Sequence, residues 1–156
     1  MTELYDAYIA AALSWAAARL GSRDYSLRCL AFVEDAYEIA NGFELFGGSS
    51  ASESALEYDA ATQIALPPPA GAFVFYACSG LVDGQRRDWG HVGLCDAEGQ
   101  VYHAWDQVRR DPYLDVQNLT PAPTWDAPHY VGWAGIERVL QGYRKHARAQ
   151  DESSPF

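Results

Sequence analysis

Three consecutive prolines, Pro67 to Pro69, divide the chain into two parts of different character. Proline has a fixed φ and no backbone N–H, so no helix continues through such a run. Before it, alanine-rich segments carry apolar residues at intervals of three and four, which is typical of amphipathic helices. After it, short aromatic-rich apolar runs are separated by glycine-containing turns, which is typical of strands. The sequence therefore predicts an α+β fold in which N-terminal helices pack on an antiparallel sheet.

Four segments have the pattern of helices. The first ends near Gly21 and the second at Asn41-Gly42, and glycine favours the left-handed backbone with which many helices end. The third is short and precedes the prolines, and the fourth lies near the end of the chain. The predicted helices cover residues 3–20, 27–40, 53–64 and 136–146.

Three predicted strands follow the prolines in close succession. Their connections are hairpin-sized, so we expect an antiparallel meander and not a parallel sheet. Residues 78–89, rich in glycine and charge, are expected to form a long hairpin loop between the first two strands. The predicted strands cover residues 71–77, 90–95 and 100–105, with an edge strand near Tyr113 and a closing strand at 129–133.

The length and charge of the chain limit what it can be. Its 156 residues suffice for one domain with its own core. We assign residues 1–146 to that domain and residues 147–156 to a polar, disordered tail. The net charge of -10 argues against a nucleic-acid partner and an anionic membrane surface. No apolar run approaches the roughly 20 residues of a membrane span, and the acidic N-terminus lacks the basic start of a secretory signal. We therefore expect a monomer without a membrane span.

Cys29 lies at the predicted start of the second helix. Ser26 is the expected N-cap, because its hydroxyl can accept a hydrogen bond from an amide of the first turn. Cys29 would then occupy about the third helical position. There the partial positive charge of the helix terminus and the neighbouring Arg28 favour the thiolate, which is the nucleophilic form. The alternative is that Cys29 is a small apolar core residue, as free cysteines usually are.

The three cysteines form no regular framework. Their number is odd and their spacing irregular, so neither a disulfide pattern nor a four-ligand zinc site is indicated, and a reducing compartment fits best. Cys78 follows a predicted strand and precedes a charged loop, so it cannot begin a buried helix. Cys95 is expected to be a buried strand residue. Cys29 is therefore the preferred candidate nucleophile.

Two histidines, His91 and His103, lie on neighbouring predicted strands, twelve residues apart. Because side chains alternate along a strand, each histidine shares a face with the residues two positions away. A sheet face with two imidazoles, placed against the start of the helix that carries Cys29, would assemble a nucleophile, a base and an orienting group. The alternative for either histidine alone is a half-buried structural residue.

One pattern links most of the chain. It consists of residues 11–21 (AALSWAAARLG), Tyr25, 29–33 (CLAFV), 69–76 (PAGAFVFY), 90–94 (GHVGL) and 99–104 (GQVYHA). From about residue 11 to about 137 the chain thereby resembles the NlpC-type cell-wall peptidases, papain-like cysteine enzymes related to the CHAP amidases. The resemblance implies a papain-like fold in which Cys29 is the nucleophile, His91 the general base and acid, and His103 the orienting residue.

The resemblance also implies a substrate and a reaction. The chain would be a bacterial endopeptidase that hydrolyses an amide in a peptidoglycan stem peptide, often next to D-glutamate, through an acyl-enzyme. Its substrate would be a peptide or muropeptide, and no metal or other cofactor would be required. A tyrosine upstream of the cysteine often contributes to the family's site, and Tyr25 is the nearby candidate. Because this chain carries no export signal, we expect a cytoplasmic protein or one delivered to the wall by lysis or specialised secretion.

The residues around Cys29 depart from the family pattern. The family commonly has an aspartate before the cysteine and a serine and a glycine after it, whereas this chain has Arg28, Leu30 and Ala31. In the family that aspartate is associated with the free amino end of the substrate. We therefore hypothesise that Arg28 faces an acidic or acylated group.

Several other residues near these motifs have two interpretations. Trp89 and Trp105 either wall a substrate groove or pack structurally, and Asp106 either forms a hydrogen bond in the site or ends a strand in solvent. The remaining candidates are expected to be structural or solvated: the charge cluster Arg109, Arg110 and Asp111, the strand-end His129 and the tail residue His146.

Two other functions use the same fold. The same three residues could catalyse acyl transfer or deamidation on a small molecule or a protein, and Arg28 keeps that alternative open. The other alternative is a catalytically idle binding domain. Reactivity of the Cys29 thiol separates the catalytic hypotheses from the idle domain.

Overall fold

The computed structural model describes residues 2–141 and 144–145 and has the predicted α+β character, with helices and an antiparallel sheet. In this part of the chain the helices are α1 (Thr2–Ala17), α2 (Cys29–Asn41), α3 (Ala51–Glu57) and α4 (Ile136–Val139). The strands are β1 (Phe43–Glu44), β2 (Phe73–Ala77), β3 (Ser79–Val82), β4 (Gln85–Asp88), β5 (His91–Cys95), β6 (Gln100–Ala104), β7 (Val108–Pro112), β8 (His129–Ala134) and β9 (Arg144–Lys145). None of the helices described has the length and apolar character that crossing a bilayer requires.

Five strands form the main sheet, in the order β7-β6-β5-β2-β8, and all neighbours are antiparallel. The predicted meander, edge strand and closing strand are therefore present. Pairing between β5 and β6 is short, since only Leu94 with Tyr102 and Cys95 with Val101 are in register. Toward His91, the first residue of β5, the ladder between the two strands ends.

The two faces of the sheet have different partners. α2 packs on the face that presents Phe73 and Val92, and α1 packs on α2. The other face carries a smaller apolar cluster that includes Tyr76 and Val101. Because directly opposed residues of paired strands share a face, His91, which lies opposite Tyr76, belongs to this second face.

The segment at residues 78–89 is not the loop that was predicted. It forms a two-stranded ribbon of β3 and β4, closed by a tight turn at Asp83-Gly84, with φ of +51° and +78° at the two positions. Positive φ at both central positions is the requirement of a type I′ hairpin turn, and Asp-Gly is among its preferred sequences. The sequence contained this turn signal, but the charged residues of β4 obscured the strand pattern.

The third helix is shorter than the prediction of 53–64. It begins at Ala51, because the hydroxyl of Ser50 accepts a hydrogen bond from the amide of Glu53 (3.2 Å). It ends at Glu57, and Asp59, with φ of +55°, separates it from a short 3-10 helix at Ala60–Thr62.

The ends of the other helices differ in how well they were predicted. α2 ends as predicted, with Gly42 in the left-handed conformation (φ +73°) and its amide bonded to the carbonyl of Glu38 (2.8 Å). The prediction of a last helix to residue 146 is wrong. α4 ends at Val139, and β9 pairs with β1 in extended conformation. His146 and the predicted tail 147–156 lie outside the described residues.

α2 carries a carboxyl group in the core. Glu34 is 1% exposed, and the structure shows no hydrogen-bond partner for its Oε1 among the described residues. Burial, followed by the charges of Glu38, Asp35 and Glu44, raises its pKa from 4.5 to about 9. The carboxyl group is therefore protonated in the folded protein at neutral pH.

We expect the free energy of unfolding to fall as the pH rises between about 4.5 and about 9. Over this interval the folded state retains a proton on Glu34 that the unfolded state has released, so each pH unit costs up to about 1.4 kcal/mol. Denaturant unfolding at about pH 6 and about pH 8 measures this slope. The neutral variant Glu34→Gln should remove most of it, and an unchanged slope in that variant would contradict the assignment.

Candidate active site

Two buried imidazoles, one on β5 and one on β6, are hydrogen-bonded to each other beyond the point where the two strands pair. His91 Nε2 and His103 Nδ1 are 2.8 Å apart, and the residues are 3% and 0% exposed. Gly93 makes this approach possible, because a Cβ at that position would lie 3.1 Å from the Cβ atoms of His103 and Val101. The sequence correctly placed the two histidines on neighbouring strands.

Asp111 completes a chain of three polar groups. Its Oδ2 is 2.9 Å from His103 Nε2, and its side chain is about one quarter exposed. The prediction that Arg109, Arg110 and Asp111 form a solvated cluster is therefore wrong for Asp111. Arg110 does lie at the surface, where it binds Asp96 and Glu98 at 2.7 and 2.8 Å.

The chemistry of these groups orders the protons along the chain. A carboxylate only accepts hydrogen bonds, so His103 donates from Nε2 to Asp111. A neutral His103 then accepts at Nδ1, and His91 donates to it from Nε2. The Nδ1 atom of His91 is left without a proton. Burial lowers the pKa of His91 well below 6.5, which favours the neutral form of its ring.

Cys29 is the first residue of α2 and not the third. Arg28 occupies the N-cap position without a capping side-chain bond. Ser26 was expected to cap the helix, but its hydroxyl donates to the carbonyl of Asp106 (2.7 Å). This bond ties the segment before Cys29 to the chain that leaves β6.

The sulfur of Cys29 lies close to the backbone amide of Val92, the residue after His91. The body of α2 packs on the Val92 face of the sheet, whereas the imidazoles belong to the other face. The sequence predicted that the imidazole face lies against the start of α2, and in the structure the first residue of this helix lies beside the residue that follows His91. In the part of the chain described, the thiol forms no hydrogen bond with the imidazole.

The thiol of Cys29 is protonated at neutral pH. Burial raises its pKa to about 11, although the amides of Val92, Leu30 and Cys29 itself act in the opposite direction. Arg28 was predicted to favour the thiolate but is not among the groups that shift the pKa of Cys29, and its guanidinium carbon lies 5.6 Å from the centre of the Tyr25 ring. A base is therefore needed to remove the proton during any attack by this sulfur.

The two candidate tryptophans occupy different surroundings. The Trp105 ring lies edge-on to His91 with 5.0 Å between centroids, and its Nε1 donates to Thr120 (3.1 Å). Trp105 therefore forms a wall beside the imidazoles. The indole N–H of Trp89 donates to Gly80 (2.9 Å), and Arg87 covers its ring at 4.4 Å. Trp89 thus packs on the β3–β4 ribbon.

Tyr25 and Asp106 make structural contacts. The hydroxyl of Tyr25 donates to Asp35 (2.7 Å), well along α2 from Cys29, and burial followed by this bond raises its pKa. The carboxylate of Asp106 accepts from the amide of Gln107 (2.9 Å) and lies 3.4 Å from Arg109. Asp106 is linked to the segment before Cys29 by its carbonyl, which accepts a hydrogen bond from the hydroxyl of Ser26.

The remaining cysteines are buried thiols. Cys78 donates to the carbonyl of Asp126 (3.4 Å), and burial, followed by the charge of Cys29, raises its pKa to about 12. Cys95 lies within β5 as predicted, and burial raises its pKa to about 12 as well. Among the described residues no three histidines, cysteines or carboxylates converge so as to hold a metal ion.

Comparison of this chain with the models of known protein families, with curated proteins and with solved structures finds no match.

Proposed function

We propose that the protein is a cysteine hydrolase with a papain-like, NlpC-type fold that cleaves an amide bond in peptidoglycan stem peptides. The observation that carries the proposal is the buried pair of hydrogen-bonded imidazoles, 2.8 Å apart, beside which α2 begins with Cys29. A neutral imidazole with an unprotonated nitrogen is the base that a protonated thiol requires. The resemblance of residues 11–137 to the NlpC-type peptidases supports the class of substrate.

In the proposed reaction the sulfur of Cys29 attacks the carbonyl carbon of the amide while its proton passes to His91 Nδ1. His103 stabilises the resulting imidazolium through its bond to Nε2. His91 then delivers the proton to the leaving amine as the C–N bond breaks, which leaves a thioester on Cys29. A water molecule, deprotonated by His91, attacks the thioester, and the proton returns to the sulfur as the carboxylic acid leaves.

Arg28 would select the group on the amino side of the cleaved bond. It is exposed at the N-cap of α2, directly before Cys29, and its positive charge suits an acidic or acylated group better than a free amine. Matched peptide substrates with free and blocked amino termini test this role. A strong preference for the free amine would contradict it.

Incubation with purified muropeptides, followed by mass spectrometry of the products, tests the function itself. We expect stem peptides to gain one water molecule at a single amide bond. Intact muropeptides after prolonged incubation with protein whose Cys29 thiol is reactive would contradict the proposed substrate.

Acyl transfer or deamidation by the same residues is the second candidate. The observation that favours it is Arg28 at the position where the resemblance leads one to expect aspartate. Capture of the acyl group by an added amine, or release of ammonia from glutamine-containing peptides, would support it. A Cys29 that reacts no faster than the buried cysteines would instead favour an idle binding domain.

A further inference from the structure

We propose that Asp111 is a positioning residue that fixes the tautomers of both imidazoles, so that His91 presents an unprotonated Nδ1. The proposal rests on the assignment of His91 as the base for Cys29. Asp111 would be a fourth residue of the proposed site, in addition to Cys29, His91 and His103, and it would act through His103. The sequence had predicted that Asp111 belongs to a solvated charge cluster.

The carboxylate, His103 and His91 form one continuous path. Asp111 Oδ2 lies 2.9 Å from His103 Nε2, and His103 Nδ1 lies 2.8 Å from His91 Nε2. Each ring nitrogen of the fully buried His103 is thus engaged in one of these two hydrogen bonds. A neutral imidazole has one donor and one acceptor nitrogen, so the acceptor at the end of this path determines which nitrogen carries the proton in each ring.

The surroundings of Asp111 keep it in the acceptor state. The hydrogen bond from His103 holds the pKa of Asp111 below its usual value, and the charge of Arg109, whose Nε is 3.7 Å from Oδ2, acts more weakly in the same direction. Asp111 is in register with Val101 of β6, two residues before His103. Edge strand β7 therefore carries the carboxylate on the face of the sheet that holds the imidazoles.

Nitrogen chemical shifts of the wild-type histidines test the proposal without any substitution. We expect both His91 and His103 to be protonated at Nε2 and unprotonated at Nδ1 near neutral pH. A proton on Nδ1 of His91 would overturn the proposal. This result is independent of whether muropeptides are substrates.

The variant Asp111→Asn keeps the size of the side chain and removes its charge. The asparagine amide can turn either its oxygen, which accepts, or its NH2 group, which donates, toward His103. Both imidazoles should then populate the Nδ1–H tautomer in addition to the Nε2–H tautomer. The rate of Cys29 alkylation by iodoacetamide near neutral pH should fall about tenfold, less than when the carboxylate adjoins the base directly. The exposed Asp115→Asn, just beyond β7, is the matched control and should change neither readout.

A double-mutant cycle separates positioning from a general structural role. If Asp111 acts through His103, Asp111→Asn should have no further effect on alkylation in a His103→Ala background. An equal loss in both backgrounds, or unchanged nitrogen shifts in Asp111→Asn, would refute the positioning role. Asp111→Asn could change the nitrogen shifts and the reactivity of Cys29 even though the wild type leaves muropeptides intact. That result would support the positioning role of Asp111 and contradict only the proposed substrate.

Discussion

Replacing Cys29 with alanine is expected to abolish amide hydrolysis, with a fall in kcat on the order of 10⁴-fold or more. Without the sulfur no thioester can form, and the imidazole pair has no nucleophile to activate. Initial rates on the muropeptide that the wild type cleaves fastest measure the effect. Thermal unfolding of the same samples should show a folded variant, because Cys29 lies at the partly exposed end of α2.

Cys78→Ala is the matched control for that experiment. Cys78 is followed by Ser79 and Gly80 and so carries the letters of the family's cysteine motif. In the structure, however, it is a buried thiol that contacts the carbonyl of Asp126. Its removal should leave most of the hydrolysis intact. Retained activity in Cys29→Ala together with loss in Cys78→Ala would show that Cys78, and not Cys29, is the nucleophile.

Gly132→Ala is expected to destabilise the protein by about 3 kcal/mol, because added atoms in a packed interior force the backbone to move. A Cβ on this residue of β8 would lie 2.0 Å from the carbonyl oxygen of Ala60 and 2.6 Å from its carbon. Both contacts are with backbone, which cannot rotate away. For a domain of this size we expect a fall in Tm of roughly 10 °C.

Gly135→Ala is the corresponding control, three residues along the chain. The nearest atom to its added Cβ is Glu137 Oε1 at 3.0 Å, at the end of a side chain that can move. We expect a change in Tm of no more than about 2 °C. Equal stability of Gly132→Ala and wild type would show that β8 and the 3-10 helix at Ala60–Thr62 are not packed as described.

The order of helices and strands was predictable because each rests on local patterns. Three local patterns determine the secondary structure next to them with little help from the rest of the chain: the prolines at 67–69, the glycine after α2 and the apolar run of β2. The β3–β4 ribbon was missed because β4 is exposed and charged and β3 is only four residues long, so Asp83-Gly84 was the clearest signal. The end of α4 was also missed, since the pairing of β9 with β1 joins distant parts of the chain.

The candidate site was predictable only in part. His91 and His103 lie on strands joined by a short turn, and their proximity follows from hairpin geometry. Asp111 was missed because its role depends on the register of β7 with β6, which no local pattern specifies. The cap was misassigned because Ser26 finds an acceptor at Asp106, eighty residues away in sequence.

The rate at which each cysteine reacts with iodoacetamide near neutral pH, resolved by mass spectrometry of peptides, tests the central claim most directly. We expect Cys29 to react at least about tenfold faster than Cys78 and Cys95, because a neighbouring base takes its proton. In His91→Ala this advantage should disappear, and the rate should then rise with pH toward the thiol pKa of about 11. Equally slow labelling of all three cysteines, or an unchanged Cys29 rate in His91→Ala, would contradict the account.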